Sequence, residues 1–206
     1  MRGRADSNMY IKAYGDELLI VIVDVDNIMF GSKKYHIVKW FVEEMQSEFE
    51  MSMIRELSFY LRLQILQKVR CIFISPEKYL RDMLKNFQME DCKPVSTPMT
   101  TGCNLCADHE SPDVDQNLYI SMIGSVLYLK TSRPNIMLAS ILLARYQSIP
   151  KQSHLLATKR IFRYLKGTMN YRLWYPKGKD FTLTTYTDVD RASCVNDKKG
   201  TRGGSF

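Results

Sequence analysis

Apolar and polar positions alternate along the first part of the chain, and the period then changes. In NMYIKAYGDELLIVIVDVDNIMFGS, residues 8–32, the alternation is broken at Gly15-Asp16 and again at Asp24-Val25-Asp26-Asn27. This predicts a strand pair followed by a tight hairpin with an acidic tip. The next stretch, KKYHIVKWFVEEMQSEFEM, places Ile37, Phe41, Met45 and Phe49 four apart with Val38 and Val42 beside them, which predicts an amphipathic helix with an acidic outer face. Alternation returns in LSFYLRLQILQKVRCIFIS, residues 57–75, as in another hairpin. Ser75-Pro76 then suits a helix start, with Ser as N-cap and Pro in the first turn. The apolar face of that helix is Tyr79, Leu80, Met83, Leu84 and Phe87.

After Met89 the periodicity stops in a stretch rich in Pro, Thr, Ser, Gly and Asp that runs to about Asp115, the expected domain boundary. Helical spacing resumes in NLYISMIGSVLYLKTS, in RPNIMLASILLARYQS with Pro134 near its start, and in KQSHLLATKRIFRYLKG. In the last of these, Leu155, Thr158, Ile161, Phe162 and Leu165 form the buried stripe and Lys159, Arg160, Arg163 and Lys166 a basic rim. Gly167 is the expected C-terminal cap. YRLWYPKG and FTLTTYTDVD then predict the opening hairpin of a new sheet, left incomplete by the final residues RASCVNDKKGTRGGSF. Open sheet edges of this kind favour association with other strands.

Composition narrows the class. With 206 residues, 45% hydrophobic and 25% charged, the chain is expected to bury a globular core. No apolar run approaches the roughly 18 residues of a membrane span, and MRGRADSN lacks the apolar segment of a signal peptide. The expectation is a soluble intracellular protein of cytoplasm or nucleus, without a membrane partner. The charge of +7 is uneven: residues 1–140 hold 16 Lys/Arg against 18 Asp/Glu, and residues 141–206 hold 13 against 4. A basic C-terminal third points to a polyanion such as nucleic acid, or simply to a solvated basic surface. Five cysteines at irregular spacing do not form a disulfide framework. Cys103, Cys106 and His109 begin a zinc-like pattern without a second ligand pair, so they are expected to be loop residues and not a metal site.

The chemistry lies at the acidic tip. Carboxylates ending an apolar hairpin need compensation, because an unpaired charge removed from water is costly. Together with FEMSMIRELSFYLRLQI, IFISPEKYLRDMLKNFQMEDCKPVSTPM, DQNLYISMIGSVLYLKTSRPNIMLAS, HLLATKRIFRYLKGT, LWYPKG and YTDVDRASC, in that order, this tip resembles the reverse transcriptase–RNase H part of Ty1/copia-type retrotransposon polyproteins. The resemblance covers the chain from about Asn8 to Phe206. It implies an α+β fold: a partial palm with acidic and primer-grip-like hairpins (1–70), a thumb-like helix (71–92), a linker loop (93–115), a helical connection region (116–168) and the first strands of an incomplete RNase H-like sheet (169–206).

In the family the tip reads Tyr-Val-Asp-Asp, and matching the flanks puts Asp24 at the Tyr position, Asp26 at the first Asp and Asn27 at the second. The family's polymerase uses two divalent ions, commonly Mg²⁺, roughly 4 Å apart. Mg²⁺ requires hard oxygen ligands, and Asn27 keeps an oxygen but not the charge. Asp26 is the expected metal ligand, with Asp24 a makeshift one; a regular strand puts Asp24 and Asp26 on one face and Asn27 on the other. The third polymerase carboxylate and the nucleotide-holding fingers lie upstream of these blocks in the family. Asp188 matches the first RNase H acid, whose partners lie downstream in the family, and one carboxylate does not hold two metals. The resemblance thus implies a reverse transcriptase stretch expected to be inactive, a relic in which Mg²⁺ is not held productively. The alternative is a non-catalytic, sequence-independent binder of RNA–DNA hybrid or duplex nucleic acid. Its expected contacts are Arg62 (where a Gly is usual), Lys78, Arg81 and Lys85 of the thumb-like helix, and Lys159, Arg160, Arg163 and Lys166. Asn135 stands where the family has Asp in Arg-Pro-Asp-Ile, removing an acid able to cap that helix.

Overall fold

The computed structural model describes residues 6–25, 27–54, 56–100, 108, 110–178, 186–190 and 201–205, the last two segments as backbone. The chain divides into two compact units, 1–56 and 57–206.

The first unit is a three-stranded antiparallel meander with one helix. Strands β1 (Met9–Tyr14), β2 (Glu17–Asp24) and β3 (Asn27–Ser32) pair in chain order, as the alternation predicts. Gly15 makes the first turn possible, since its φ of +61° lies in the left-handed region that costs an L side chain energy. Helix α1 (Tyr35–Glu48) turns its apolar stripe inward: Ile37 is buried, and Phe41 meets Phe30 of β3 at a ring separation of 5.0 Å. Glu43 on its outer side pairs with Lys39 at 3.6 Å.

In the second unit, β4 (Phe59–Tyr60), β5 (Leu63–Lys68) and β6 (Cys71–Ser75) form two successive hairpins where the alternation predicted one. Helix α2 (Glu77–Asn86) follows directly. Pro76 occupies the N-cap position, and the Ser75 hydroxyl accepts from the Glu77 N–H at 3.3 Å, so the expected Ser-Pro start is shifted by one residue. The Asp115 carboxylate caps α3 (Gln116–Leu129), accepting from the N–H groups of Asn117 and Leu118 at 2.8 and 3.2 Å. A 3₁₀ turn at Pro134–Ile136 leads into α4 (Met137–Ala144), and α5 (Gln152–Gly167) completes the helices.

One core joins these four helices. Leu80, Met83 and Leu84 of α2 pack with Met122, Ile123 and Val126 of α3, Leu143 of α4 and Ile161, Phe162 and Leu165 of α5. Phe87 meets Phe162 edge-on at 5.3 Å. The division into compact units falls at 56/57 and not in the 93–115 loop, because α2 buries its apolar face against α3, α4 and α5.

Two further expectations change. Strand β7 (Leu173–Pro176), expected in a new sheet, joins the free edge of β6, with Ile74 opposite Leu173 and Cys71 opposite Pro176, giving the order β4-β5-β6-β7 among the described residues. The Lys177 N–H extends the join to the Arg70 carbonyl at 2.8 Å. The backbone groups that β6 would expose are thus paired, which removes one open edge. Strand β8 (Tyr186–Asp190) pairs instead with β9 (Thr201–Ser205). Gly167 is not a left-handed cap but the last residue of α5, with Thr168 as C-cap. A Cβ on Gly167 would lie 3.1 Å from the Pro94 Cβ, so its small size permits the close approach of the 90–97 segment.

Candidate nucleic-acid interface

The acidic tip is set by a two-residue turn. Asp24 and Asn27 are directly paired across it, Val25 is 92% exposed with φ +42°, and Asp26 lies outside the described residues. Residues directly opposite in an antiparallel pair project from the same face of the sheet. Asn27 therefore stands beside Asp24, not opposite to it; the expectation for a regular strand is overturned because the turn reverses the chain within two residues. Among the described residues the tip offers one carboxylate and one neutral amide on that face, and no group of three His, Cys, Asp or Glu side chains gathers anywhere. A pair of Mg²⁺ ions needs several anionic oxygens to balance its charge, and of the two expected carboxylates at the tip only Asp24 is among the described residues. Cys103, Cys106 and His109 lie outside the described residues. Asp188 sits mid-strand in β8 opposite Gly203, and Asp190 lies opposite Thr201.

The β4–β5 hairpin is docked onto the helices by Tyr79, which the periodicity assigned to the apolar face of α2, and by Tyr128, which it did not single out. Its β4–β5 turn is Leu61-Arg62, both with positive φ (+43° and +58°). That is the backbone geometry for which a Gly is usual in the family, so the Gly-to-Arg difference falls where an L side chain is strained. The Tyr128 hydroxyl of α3 donates to the Leu61 carbonyl, and the Arg62 guanidinium lies 5.7 Å from the Tyr79 ring. Tyr79 and Tyr128 are 4.7 Å apart, and the Tyr79 hydroxyl donates to the Ser125 carbonyl at 3.2 Å. Burial pushes the Tyr79 hydroxyl pKa up. Tyr79 and Tyr128 lie on different helices, so periodicity within one helix could not pair them or assign their hydroxyls.

The expected basic contacts separate into two groups. Lys78, Arg81 and Lys85 are exposed on α2. Lys78 lies 5.3 Å from the Phe59 ring of β4, and Arg81 pairs with Glu77 at 2.7 Å. On α5 Lys159 is exposed, but its three neighbours on the rim reach back to the chain. Arg160 donates to the Thr97 hydroxyl at 2.9 Å, Arg163 to the Lys93 carbonyl at 2.7 Å and Lys166 to the Glu90 carbonyl. These three cations fasten the 90–97 segment along α5, at the place where Gly167 admits Pro94.

Arg133 is buried, 2% exposed, and its guanidinium donates to the carbonyl (2.9 Å) and hydroxyl of Thr168. Desolvation holds its pKa below the usual value. Asn135 donates its amide hydrogen to the Tyr164 hydroxyl, a role that differs from helix capping.

Residues 2–101 match the family described as reverse transcriptase (RNA-dependent DNA polymerase). The chain is 28% identical over 97% of its length to the retrovirus-related Pol polyprotein from transposon RE1 of Arabidopsis thaliana. It is 28% identical over 98% of its length to that from transposon TNT 1-94 of Nicotiana tabacum. It spans only 14% and 16% of those two polyproteins. An uncharacterized mitochondrial protein of Arabidopsis thaliana, AtMg00810, is 26% identical over 90% of this chain and 77% of its own length. No solved structure matches. No helix among the described residues is long and apolar enough to cross a membrane. Residues 2–101 thus match the reverse transcriptase family, and the chain over nearly its whole length is similar to a stretch of Ty1/copia-type retrotransposon Pol polyproteins.

Proposed function

We propose that this chain is a non-polymerising stretch of a Ty1/copia-type RNA-directed DNA polymerase that retains a grip on template–primer duplex. The observation that carries the first half is the pairing of Asn27 with Asp24 at the tip. The position that matches the second family acid presents an amide, and its neighbour on the same face matches an aromatic. An amide oxygen neither neutralises nor bridges two metal ions, so the activation of a primer 3′-hydroxyl loses its electrostatic basis. Asp188 corresponds in this reading to the first acid of an RNase H-like site, and it contributes no cleavage by itself.

The second half rests on the hairpin docked at Tyr79 and Tyr128 and on the exposed Lys78, Arg81, Lys85 and Lys159. Exposed cations on rigid elements bind phosphates without regard to sequence, and the affinity falls steeply with salt. Primer extension on an RNA template with Mg²⁺, run beside binding of the same RNA–DNA hybrid, tests both halves. The expected result is no incorporation together with salt-sensitive binding that weakens on charge reversal at Lys78, Lys85 and Lys159. Incorporation that Asp26→Ala abolishes would overturn the first half. Affinity indifferent to the charge reversals would overturn the second.

A further inference from the structure

The segment that follows α2 sets an exposed hydroxyl against a cation with one donor unused. Residues 90–97 run along α5 without forming helix or strand, and Thr97 is exposed. Its hydroxyl accepts from Nη2 of Arg160 at 2.9 Å. The Nε of the same guanidinium is buried and, among the described residues, has no hydrogen-bond partner. Nε and Nη2 donate side by side from one edge of the planar group, the arrangement that grips two oxygens of a carboxylate or phosphate. A hydroxyl has a single oxygen and meets only one of the two. Leaving the other donor buried and unmet is costly, so this edge is one oxygen short. Helix α5 itself holds Lys159, Arg160, Arg163 and Lys166 and no Asp or Glu, so no acid on that helix competes for the edge.

Thr97 is followed by Pro98, and Ser/Thr-Pro is the dipeptide that proline-directed protein kinases modify. The chain has three such dipeptides, Ser75-Pro76, Thr97-Pro98 and Ser111-Pro112. Ser75 is buried, and its hydroxyl accepts from the Glu77 N–H. Ser111 donates its N–H to the Asp108 carboxylate and has Glu110 and Asp113 within two residues, so a phosphate there would meet like charge. Thr97 alone combines exposure with an adjoining cation.

We propose that Thr97 is a phosphorylation site for a proline-directed protein kinase, and that Arg160 receives the phosphate through Nε and Nη2. The Thr97 Oγ1 attacks the γ-phosphorus of the nucleoside triphosphate carried by the kinase. A new O–P bond forms, the bond to the β-phosphate oxygen breaks, nucleoside diphosphate leaves, and the hydroxyl proton passes to the kinase's base. The product sets about two negative charges and three strong acceptor oxygens beside the guanidinium. One oxygen keeps Nη2 and a second satisfies Nε, so the modified segment is fastened to α5 more firmly than before. The site rests on residues 90–98 and α5 and stands whether or not the chain grips nucleic acid.

The test incubates the full-length protein with a proline-directed kinase and ATP and maps the modified residues by mass spectrometry. The expected result is one phosphoryl group per chain, at Thr97, and none in Thr97→Ala. Ser75 and Ser111 should take phosphate only after the chain is digested to peptides. Phosphorylation should raise the urea midpoint, followed by circular dichroism, by about 0.5 M. Arg160→Met should abolish that rise, and Arg160→Lys, which keeps the charge but not the paired donors, should retain only part of it. The second ionisation of an unpaired phosphate falls at about pH 6; by phosphorus NMR it should lie lower in the wild type and return toward that value in Arg160→Met. If Arg160→Met does not fold, Arg160→Lys and the wild-type phosphate titration decide the matter. A native chain left unmodified at Thr97, or modified at Ser96 or Ser111 instead, would overturn the site. Equal midpoint rises in wild type and Arg160→Lys, or a wild-type phosphate that titrates at about pH 6, would overturn the role of Arg160.

Discussion

The β4–β5 turn allows a stability argument to be worked from backbone geometry. Arg62 has φ +58° and its side chain is exposed, so its main tertiary contact is the guanidinium over Tyr79 at 5.7 Å. An L residue in the left-handed region costs roughly 1–2 kcal/mol, which glycine avoids. Glycine gives back about 0.4–1 kcal/mol through the greater freedom of the unfolded chain. The cation–ring contact at an exposed site contributes about 0.5–1 kcal/mol. Arg62→Ala therefore loses the contact and keeps the strain, so it should be less stable than wild type by about 0.5–1 kcal/mol. Arg62→Gly loses the contact and relieves the strain, so it should exceed Arg62→Ala by about 1 kcal/mol and lie close to wild type. Urea unfolding followed by circular dichroism reads the difference as a midpoint shift of about 0.5 M for a slope of about 2 kcal/mol/M. The control is Lys85, exposed on α2, where the order of Ala and Gly must invert by about 1 kcal/mol. An alanine variant at position 62 as stable as the glycine variant would refute the left-handed turn and the strain assigned to it.

Two further outcomes follow from buried polar groups. Asn135→Asp places a carboxylate against the Tyr164 hydroxyl, beside the buried Arg133 guanidinium. It should stabilise by about 0.5–1 kcal/mol at neutral pH, a modest figure because position 135 is exposed. The pairing would hold the new carboxyl's folded pKa below its unfolded one. The gain is therefore full above about pH 4, where unfolded Asp is ionised, and is lost as pH falls below it; urea midpoints of both proteins at neutral and acidic pH check this. An aspartate variant no more stable than wild type at neutral pH would sink it. Tyr119 is fully buried, its hydroxyl donates to the Leu143 carbonyl at 2.9 Å, and burial pushes its pKa up to about 12. The folded value lies above the unfolded one, so this contribution is full below about pH 10 and is lost as pH rises toward 12. Tyr119→Phe should cost about 1 kcal/mol at neutral pH by losing this hydrogen bond, a modest figure because the Leu143 carbonyl still accepts from the Tyr146 N–H at 3.1 Å, and should lessen the alkaline loss measured by pH-jump unfolding.

Local pattern carried much of this molecule. Leu155, Thr158, Ile161, Phe162 and Leu165 were assigned to one face of a helix by spacing alone, and all five are buried. The meander of residues 9–32 and the hairpins of 59–75 follow from alternation and turn residues, because strand and helix periods are local consequences of backbone geometry. The candidate site was legible only as residue types. Sequence places Asp24 and Asn27 three apart, but whether they share a face depends on where the chain reverses, and the turn at Val25 decides it.

What tertiary structure alone decided was which group meets which. LWYPKG has strand character by itself, yet nothing local chooses between a new hairpin and the open edge of β6, since any unpaired strand offers the same hydrogen-bonding groups. Arg160, Arg163 and Lys166 share a basic face by periodicity, but their partners are carbonyl and hydroxyl oxygens 63 to 76 residues away. A short-range pattern cannot encode such pairings. They follow from burial of the core between α2 and α5, which brings the 90–97 segment alongside α5 and so turns cations expected to meet phosphate toward the chain's own backbone.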